Sequence, residues 1–281
     1  MASWLLLHQA QVQSYLWLGS FIGIALWESF QPRRDLGPAT GARWFNNIAL
    51  TGAGFLLTRL CLPVAAFSFA ILSQERGWGL FNYLSLPTWL SCALAVLMLD
   101  LGTYAVHRLF HTRLLWRYHK IHHCDLDVDC CTAIRHHPIE SVLALGIELV
   151  IIAGIGASPL AVLIAVTLAA VAAVFNHGNV AIPETIDRLL RRLVVTPDMH
   201  RIHHSAMIHE SNSNFSNLLP WWDHLFSTYR HQPQLGHEAM HLGLDEARTP
   251  ADVTLWKLLA MPFFAPKSSP APSRPATQPQ N

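Results

Sequence analysis

Charge is what this chain has least of. Asp, Glu, Lys and Arg make up 13% of its 281 residues, against roughly 25% in soluble globular proteins. With 52% of residues in the hydrophobic class, that scarcity points to a membrane protein. The net charge of +1 and the lack of any long basic run exclude the electrostatic footprint of a nucleic-acid partner. The five cysteines (Cys61, Cys92, Cys124, Cys130 and Cys131) are odd in number and lack the spacing of a disulfide framework, so a reducing environment is expected. No Cys-x-x-Cys occurs, which weakens Cys124, Cys130 and Cys131 as zinc ligands despite their place just after His123. Met1 to Gln13 has neither a basic region nor a small-residue cleavage signal, so no secretory leader is expected. A Gly-rich dinucleotide fingerprint is missing too, so the chain is not expected to bind its own nicotinamide or flavin.

Histidine, by contrast, is abundant, with 17 in the chain. Eight fall in three short clusters: His107-x-x-x-His111, His119-x-x-His122-His123, and the near copy His200-x-x-His203-His204. Residues three or four apart share one face of an α-helix, so each cluster aims its imidazoles at a common point. A catalytic zinc takes three protein ligands and a structural zinc four; eight candidates are too many for one such ion and suit two neighbouring ions. An all-nitrogen set fits zinc, copper, iron or nickel without choosing among them. Between His107 and His204 no carboxylate stands in the Glu-x-x-His spacing of soluble di-iron bundles.

Several apolar runs approach the roughly 20 residues needed to cross a bilayer. Tyr15 to Phe30 is a first candidate, followed by Asn47 to Ser73, which Arg59 and Pro63 interrupt and allow to bend, and by Leu86 to Val106, which leads into His107. Ser141 to Ile155 and Pro159 to Phe175, joined by Gly156-Ala157-Ser158-Pro159, read as a tight helical hairpin in the membrane. Glu148, an ionisable group inside that hairpin, is expected to face protein or water. Arg33, Arg34 and Arg43 follow the first run, and Arg108, Arg113, Arg117, Lys120 and Arg135 follow the third, whereas the segment before Tyr15 has no Lys or Arg. The positive-inside rule therefore puts the N-terminus outside and all three clusters on the cytoplasmic face. The expected fold is an all-α integral membrane helical bundle, multi-pass, with a cytoplasmic histidine-rich helical cap holding a dinuclear metal site. Its parts are N-terminal transmembrane helices over 1–85, a catalytic domain over 86–236 that includes the hairpin 141–175, and a C-terminal segment over 237–281. Within that last part Lys267 to Asn281, rich in Pro and Ser, reads as a disordered tail.

Further ligand candidates lie between the clusters. His177 falls where the hairpin leaves the membrane, and of the adjacent His136 and His137 only one can point at a shared site, because helix neighbours diverge by about 100°. His137 is the one taken as a ligand; His136, His209, His224, His231, His237 and His241 read as surface or supporting groups. Metal-bound imidazoles usually give their second N–H to a carboxylate or carbonyl. Asp100, seven residues before His107 and on the same helical face, could accept it, as could Glu140, Asp198 and Asp223.

Taken in order, these motifs resemble a known family. Asp100 through Tyr104, His107-Arg108-x-x-His111, Leu115-Trp116-Arg117-x-His119-Lys120-x-His122-His123, Thr132-Ala133-x-Arg135-x-His137-Pro138-x-Glu140, Asn176-His177 and Thr196-Pro197-x-x-His200-Arg201-x-His203-His204-Ser205 are similar to the fatty acid hydroxylase and sterol desaturase family of membrane di-iron enzymes. Asn214-Phe215-Ser216 and Trp222-Asp223-x-Leu225-Phe226-Ser227-Thr228-Tyr229 resemble its closing motifs, with Ser at two positions where Gly is usual. The resemblance covers roughly Leu90 to Arg230. It implies two Fe ions bound by His107, His111, His119, His122, His123, His137, His177, His200, His203 and His204, with O2 as oxidant and a lipid as substrate. Hydroxylation is the preferred outcome over desaturation, since it needs one hydrogen abstraction and rebound. Electrons are expected from a separate electron-transfer protein or reductase. A sterol, a fatty acyl chain and an ether lipid all remain open as substrates. The competing readings are a membrane metal transporter or metal-binding protein, and a zinc-dependent membrane hydrolase.

Overall fold

The computed structural model describes residues 2–37 and 39–264. Among them there is no β-strand, only isolated bridges such as that between Pro32 and Val180. The expected tail, Lys267 to Asn281, lies outside the described residues.

Ten helices set up the site. α1 (Ala2–Leu7) and α2 (Gln9–Phe30) are followed by α3 (Thr40–Cys61) and α4 (Ala66–Glu75). Next come α5 (Thr88–Phe110) and α6 (Trp116–His123), then α7 (Pro138–Ile155), α8 (Pro159–His177), α9 (Glu184–Leu190) and α10 (Pro197–His203). Four segments are long and apolar enough to cross a membrane: Thr40–Asn82, Thr88–Phe110, Pro138–Ile155 and Pro159–His177. The first of these bends where α3 stops at Cys61 and Pro63 removes a backbone donor. α2 matches the first expected run in place but is not among the four. Gln9, Gln11 and Gln13 open it, and Glu28, near its end, is buried against the cap.

The hairpin of α7 and α8 is punctuated as its sequence requires. Each helix has Pro in its first turn, where the missing N–H is not needed. Gly156 ends α7 with φ +72, a left-handed conformation that favours glycine, and Ser158 caps α8 by accepting from the Ala161 N–H at 3.3 Å. A Cβ on Gly79 would stand 2.1 Å from the Gly156 nitrogen, so the loop after α4 docks on the hairpin tip only because glycine is there. Below the tip α4, α5, α7 and α8 share an apolar core that includes Ala70, Ala95, Leu99, Leu149, Ile152 and Val162.

A buried polar brace joins this bundle to the cap. Arg43 on α3 donates to Asp125 at 2.7 and 3.0 Å and to Asp129 at 3.2 Å, and Trp44 also donates to Asp129. Arg135 donates to the Ile121 carbonyl and to Asn47, both at 2.7 Å, tying α6 to α3. The Glu28 carboxylate accepts from the backbone of Cys130 and Asn179. With Arg43 paired to Asp125 and Asp129 and the Glu28 carboxylate hydrogen-bonded, the brace fixes where α6 and the residues just after α8 sit.

Candidate metal centre

The histidine clusters sit at helix ends beside one another. α5 carries His107 in its last turn and His111 caps it; α6 carries His119, His122 and His123; α8 ends on His177; α10 carries His200 and His203, with His204 as its cap. Their ring nitrogens fall into two groups, each spanning no more than 4.8 Å: His107, His111, His119, His123 and His203 in one, His122, His177, His200 and His204 in the other. Two imidazoles on opposite sides of one ion, each about 2.1 Å from it, would stand about 4.2 Å apart, so the spread is close to what a single ion needs. The two copies of His-x-x-His-His interleave. His119 and His123 enter the first group and His122 the second, while His200 and His204 enter the second and His203 the first. Across the copies, the ring centroids of His122 and His204, and of His123 and His203, are both 4.6 Å apart.

Hydrogen bonds at Nδ1 fix the tautomer of six rings. His107 donates to the Phe215 carbonyl at 2.7 Å, His203 to the Ser213 carbonyl at 2.8 Å, and His177 to the Ala173 carbonyl at 2.7 Å. His122 donates to the Arg135 carbonyl at 3.2 Å, His111 to the Asn212 side-chain oxygen at 3.1 Å, and His119 to Glu140 Oε1 at 2.6 Å. Each acceptor demands a proton on Nδ1, which leaves Nε2 with a lone pair aimed inward. Within the second group the Nε2 of His177 stands 3.1 Å from that of His122 and 3.2 Å from that of His200. The Nε2 atoms of His107, His111 and His203 are buried without any hydrogen-bond partner. Buried polar atoms are rarely left so; lone pairs converging in this way fit a cation, and the residues present fit a pair of metal ions.

The electrostatics agree. Burial, reinforced by the neighbouring imidazoles, holds His122, His123, His200, His203 and His204 well below the ordinary histidine range. They are therefore neutral near pH 7, the form that ligates metal. Burial would raise the Asp125 carboxyl, but the Arg135 and Arg43 guanidinium groups hold it down at about 2, so the brace behind α6 stays charged. For His136 burial acts downward and the Glu140 carboxylate outweighs it, leaving the ring above its usual value.

Nine of the ten proposed ligands lie in the two groups; His137 does not. Its Nδ1 caps α7 by accepting from the Ile139 N–H at 3.2 Å, and its Nε2 meets the Leu259 carbonyl at 3.2 Å. His136 turns inward instead, donating to Glu140 Oε1 at 3.0 Å and stacking on His122. Of the four carboxylates expected to orient imidazoles, Glu140 touches a ligand ring. Asp100 accepts from the Trp222 indole at 2.8 Å and the Leu219 N–H at 3.3 Å. Asp198 pairs with Arg33 at 3.3 Å and with Arg201. Asp223 acts one step further back, accepting from the Phe215 and Ser216 N–H groups at 2.8 and 2.9 Å and so shaping the loop whose Phe215 carbonyl holds His107. The carbonyl acceptors and Asn212 were not anticipated; the Asn214-Phe215-Ser216 motif was the nearest signal. Asn214 (φ 53) and Ser227 (φ 57) adopt left-handed backbone, Ser227 at a position where the family usually has Gly.

A cavity of about 390 Å³ runs from the histidines between α5, α7 and α8. Its deep end is His107, His119, His122, His177 and His200. Ala165, Ala169 and Ala173, on one face of α8, line its wall on the way to His177. Four-residue spacing stacks their methyl groups in a row along that wall.

Residues 92–228 match the family model described as fatty acid hydroxylase. The ornithine lipid hydroxylase OlsE of Rhizobium tropici is 28% identical over 78% of this chain and 67% of its own length. The alkylglycerol monooxygenase of Homo sapiens is 32% identical over 60% of this chain and 38% of its own. The very-long-chain aldehyde decarbonylase GL1-4 of Oryza sativa subsp. indica is 25% identical over 63% of this chain and 33% of its own. The chain thus spans about two thirds of the first relative, 38% of the second and 33% of the third. No solved structure matches it significantly.

Proposed function

Proceeding from the match of residues 92–228 to the fatty acid hydroxylase model, we propose that this protein is an O2-dependent di-iron enzyme that hydroxylates a C–H bond on the hydrocarbon chain of a polar-headed lipid. One observation carries the reading: two adjacent groups of inward-facing imidazoles close the end of an apolar slot formed by three helices fit to span a membrane. His107, His111, His119, His123 and His203 would hold one iron, and His122, His177, His200 and His204 the other. The bound pair would supply reduction of dioxygen, with two electrons from a separate donor protein, and removal of hydrogen from an unactivated C–H bond.

The chain's own residues do the positioning. Nδ1 bonds from six rings lock the donor set before metal arrives, so ordering costs little at binding. Phe110, Val106, Ala169 and Ala173 clothe the slot next to the histidines and exclude bulk water from the reacting carbon. Because the slot lies among span-forming helices, a substrate chain enters from the lipid phase and meets the metals at the membrane face, on the cytoplasmic side by the charge asymmetry of the loops. Catalysis is assigned to the stretch 86–236, with 1–85 as membrane anchor and the described residues 237–264 as cover. Leu259 and Pro262 of that cover accept from His137 and Arg117. Relatives whose names specify ornithine lipid and alkylglycerol favour a lipid with a polar head over a sterol.

The test is lipid mass spectrometry of cells expressing the wild type or His203→Ala under labelled dioxygen. A wild-type product heavier by one labelled oxygen atom, absent from the variant, supports hydroxylation. A product lighter by two hydrogens would reassign the outcome to desaturation. Zinc at full occupancy with oxygen-independent turnover would replace the reading with a hydrolase.

A further inference from the structure

We propose that Glu148, midway along the slot, is a specificity-determining residue that accepts a hydrogen bond from a hydroxyl or amide N–H carried by the lipid chain, and so chooses which carbon reaches the histidines. The inference rests on the slot holding a lipid. On α7 the residues Ser141, Ala144, Glu148 and Ile151 recur at three- and four-residue intervals and all line the cavity. The neighbouring faces of the helix are committed elsewhere: Leu149 and Ile152 are in the core, and Val150 points outward at 71% exposure.

Two acids line the slot away from the histidine end, Asp100 and Glu148. Asp100 is satisfied by Trp222 and Leu219. Glu148 has no hydrogen-bond or ion-pair partner among the described residues, and its neighbours along the slot are apolar. An acid without a partner inside a membrane-spanning helix is costly and marks a functional position. Whether ionised or protonated, a carboxyl keeps an oxygen able to accept. A purely hydrocarbon chain would leave that oxygen unsatisfied, whereas a chain bearing a donor at the right height would pair with it. The height follows from the helix: Glu148 is eight residues beyond Glu140, whose carboxylate touches His119, a rise of roughly 12 Å at about 1.5 Å per residue. The preferred ligand carries its hydroxyl or amide that far, plus the reach of the side chains, from the carbon at the metals.

Binding of neutral probes tests this without any turnover. Purified full-length protein in nanodiscs is titrated, by native mass spectrometry, with methyl octadecanoate and with its isomers hydroxylated at successive carbons. The wild type should favour one positional isomer over the plain ester by about fivefold to tenfold, the worth of one buried hydrogen bond. Glu148→Leu should erase the preference while still binding the plain ester, and Glu148→Gln, whose amide oxygen still accepts, should retain most of it. A wild type that ranks every isomer equal to the plain ester, a preference that survives in Glu148→Leu, or no binding of any ester would overturn the proposal. Since no oxygen or reductant is needed, loss of hydroxylase activity in cells and loss of this preference are separate results.

Discussion

Removing the Glu140 carboxylate should loosen one metal position without emptying the centre. Its Oε1 accepts from His119 at 2.6 Å and from His136 at 3.0 Å. A bond to an ionised acceptor contributes about 1.5–3 kcal/mol, and a neutral one about 0.5–1.5 kcal/mol. Glu140→Gln keeps the shape and one neutral acceptor, so it forfeits about 1–1.5 kcal/mol at His119. Only that bond bears on a ligand of the five-histidine group, and its loss converts to about a tenfold weaker metal position. Glu140→Ala removes the acceptor altogether and frees the His119 ring, which should bring the loss near 100-fold, the upper range for residues that orient metal ligands. Competition titration of the metal-free protein with iron(II) against a chelator reads both values. Unchanged affinity in both variants, or a larger loss from the four-histidine group than from the five-histidine group, would refute the reasoning.

Three further expectations concern other parts of the centre. His203→Ala and His200→Ala should each bind about one metal ion per chain fewer than the wild type, whereas His137→Ala should keep full metal content and lose only about 1 kcal/mol of stability as a helix cap; elemental analysis and thermal melts separate these outcomes. The metal-free protein should lose stability as pH falls below about 6.5, since the unfolded chain then takes up protons that the buried rings of His122, His123, His200, His203 and His204, held well below that value, refuse. The slope is up to about 1.4 kcal/mol per pH unit for each ring, and a Tm in detergent that is flat between pH 7.5 and 5.5 would contradict it. Ser227→Gly should stabilise the protein by about 1 kcal/mol, because the left-handed φ of 57 strains a residue with a Cβ; a lower Tm for the variant would show that the Ser227 side chain makes a compensating contact.

The sequence was most informative where local geometry decides the outcome. Three- and four-residue histidine spacing marked the residues that converge but not their division, since His122 parts from His119 and His123, and His203 from His200 and His204; Gly156-Ala157-Ser158-Pro159 did mark the hairpin turn, because backbone sterics act within a few residues. It was least informative where a distant element decides. Asp100 does share the face of His107, but which partner meets it there depends on Trp222, 122 residues away. His136 and His137 are indistinguishable until the start of α7 takes one of them as its cap. The carbonyls of Phe215, Ser213, Arg135 and Ala173 left no mark, since every residue has a carbonyl and only the tertiary fold selects these four. α2 reads as a span from its apolar stretch, yet the glutamines at its start and the buried Glu28 keep it apart from the four most apolar segments.

X-ray absorption at the iron edge of the purified, iron-loaded protein, with elemental analysis of the same sample, tests the two-ion centre most directly. The predicted result is two irons per chain, each in a nitrogen-rich, sulfur-free shell with imidazole scattering and a second metal as a resolved neighbour. One iron per chain, or a shell containing sulfur, would contradict it.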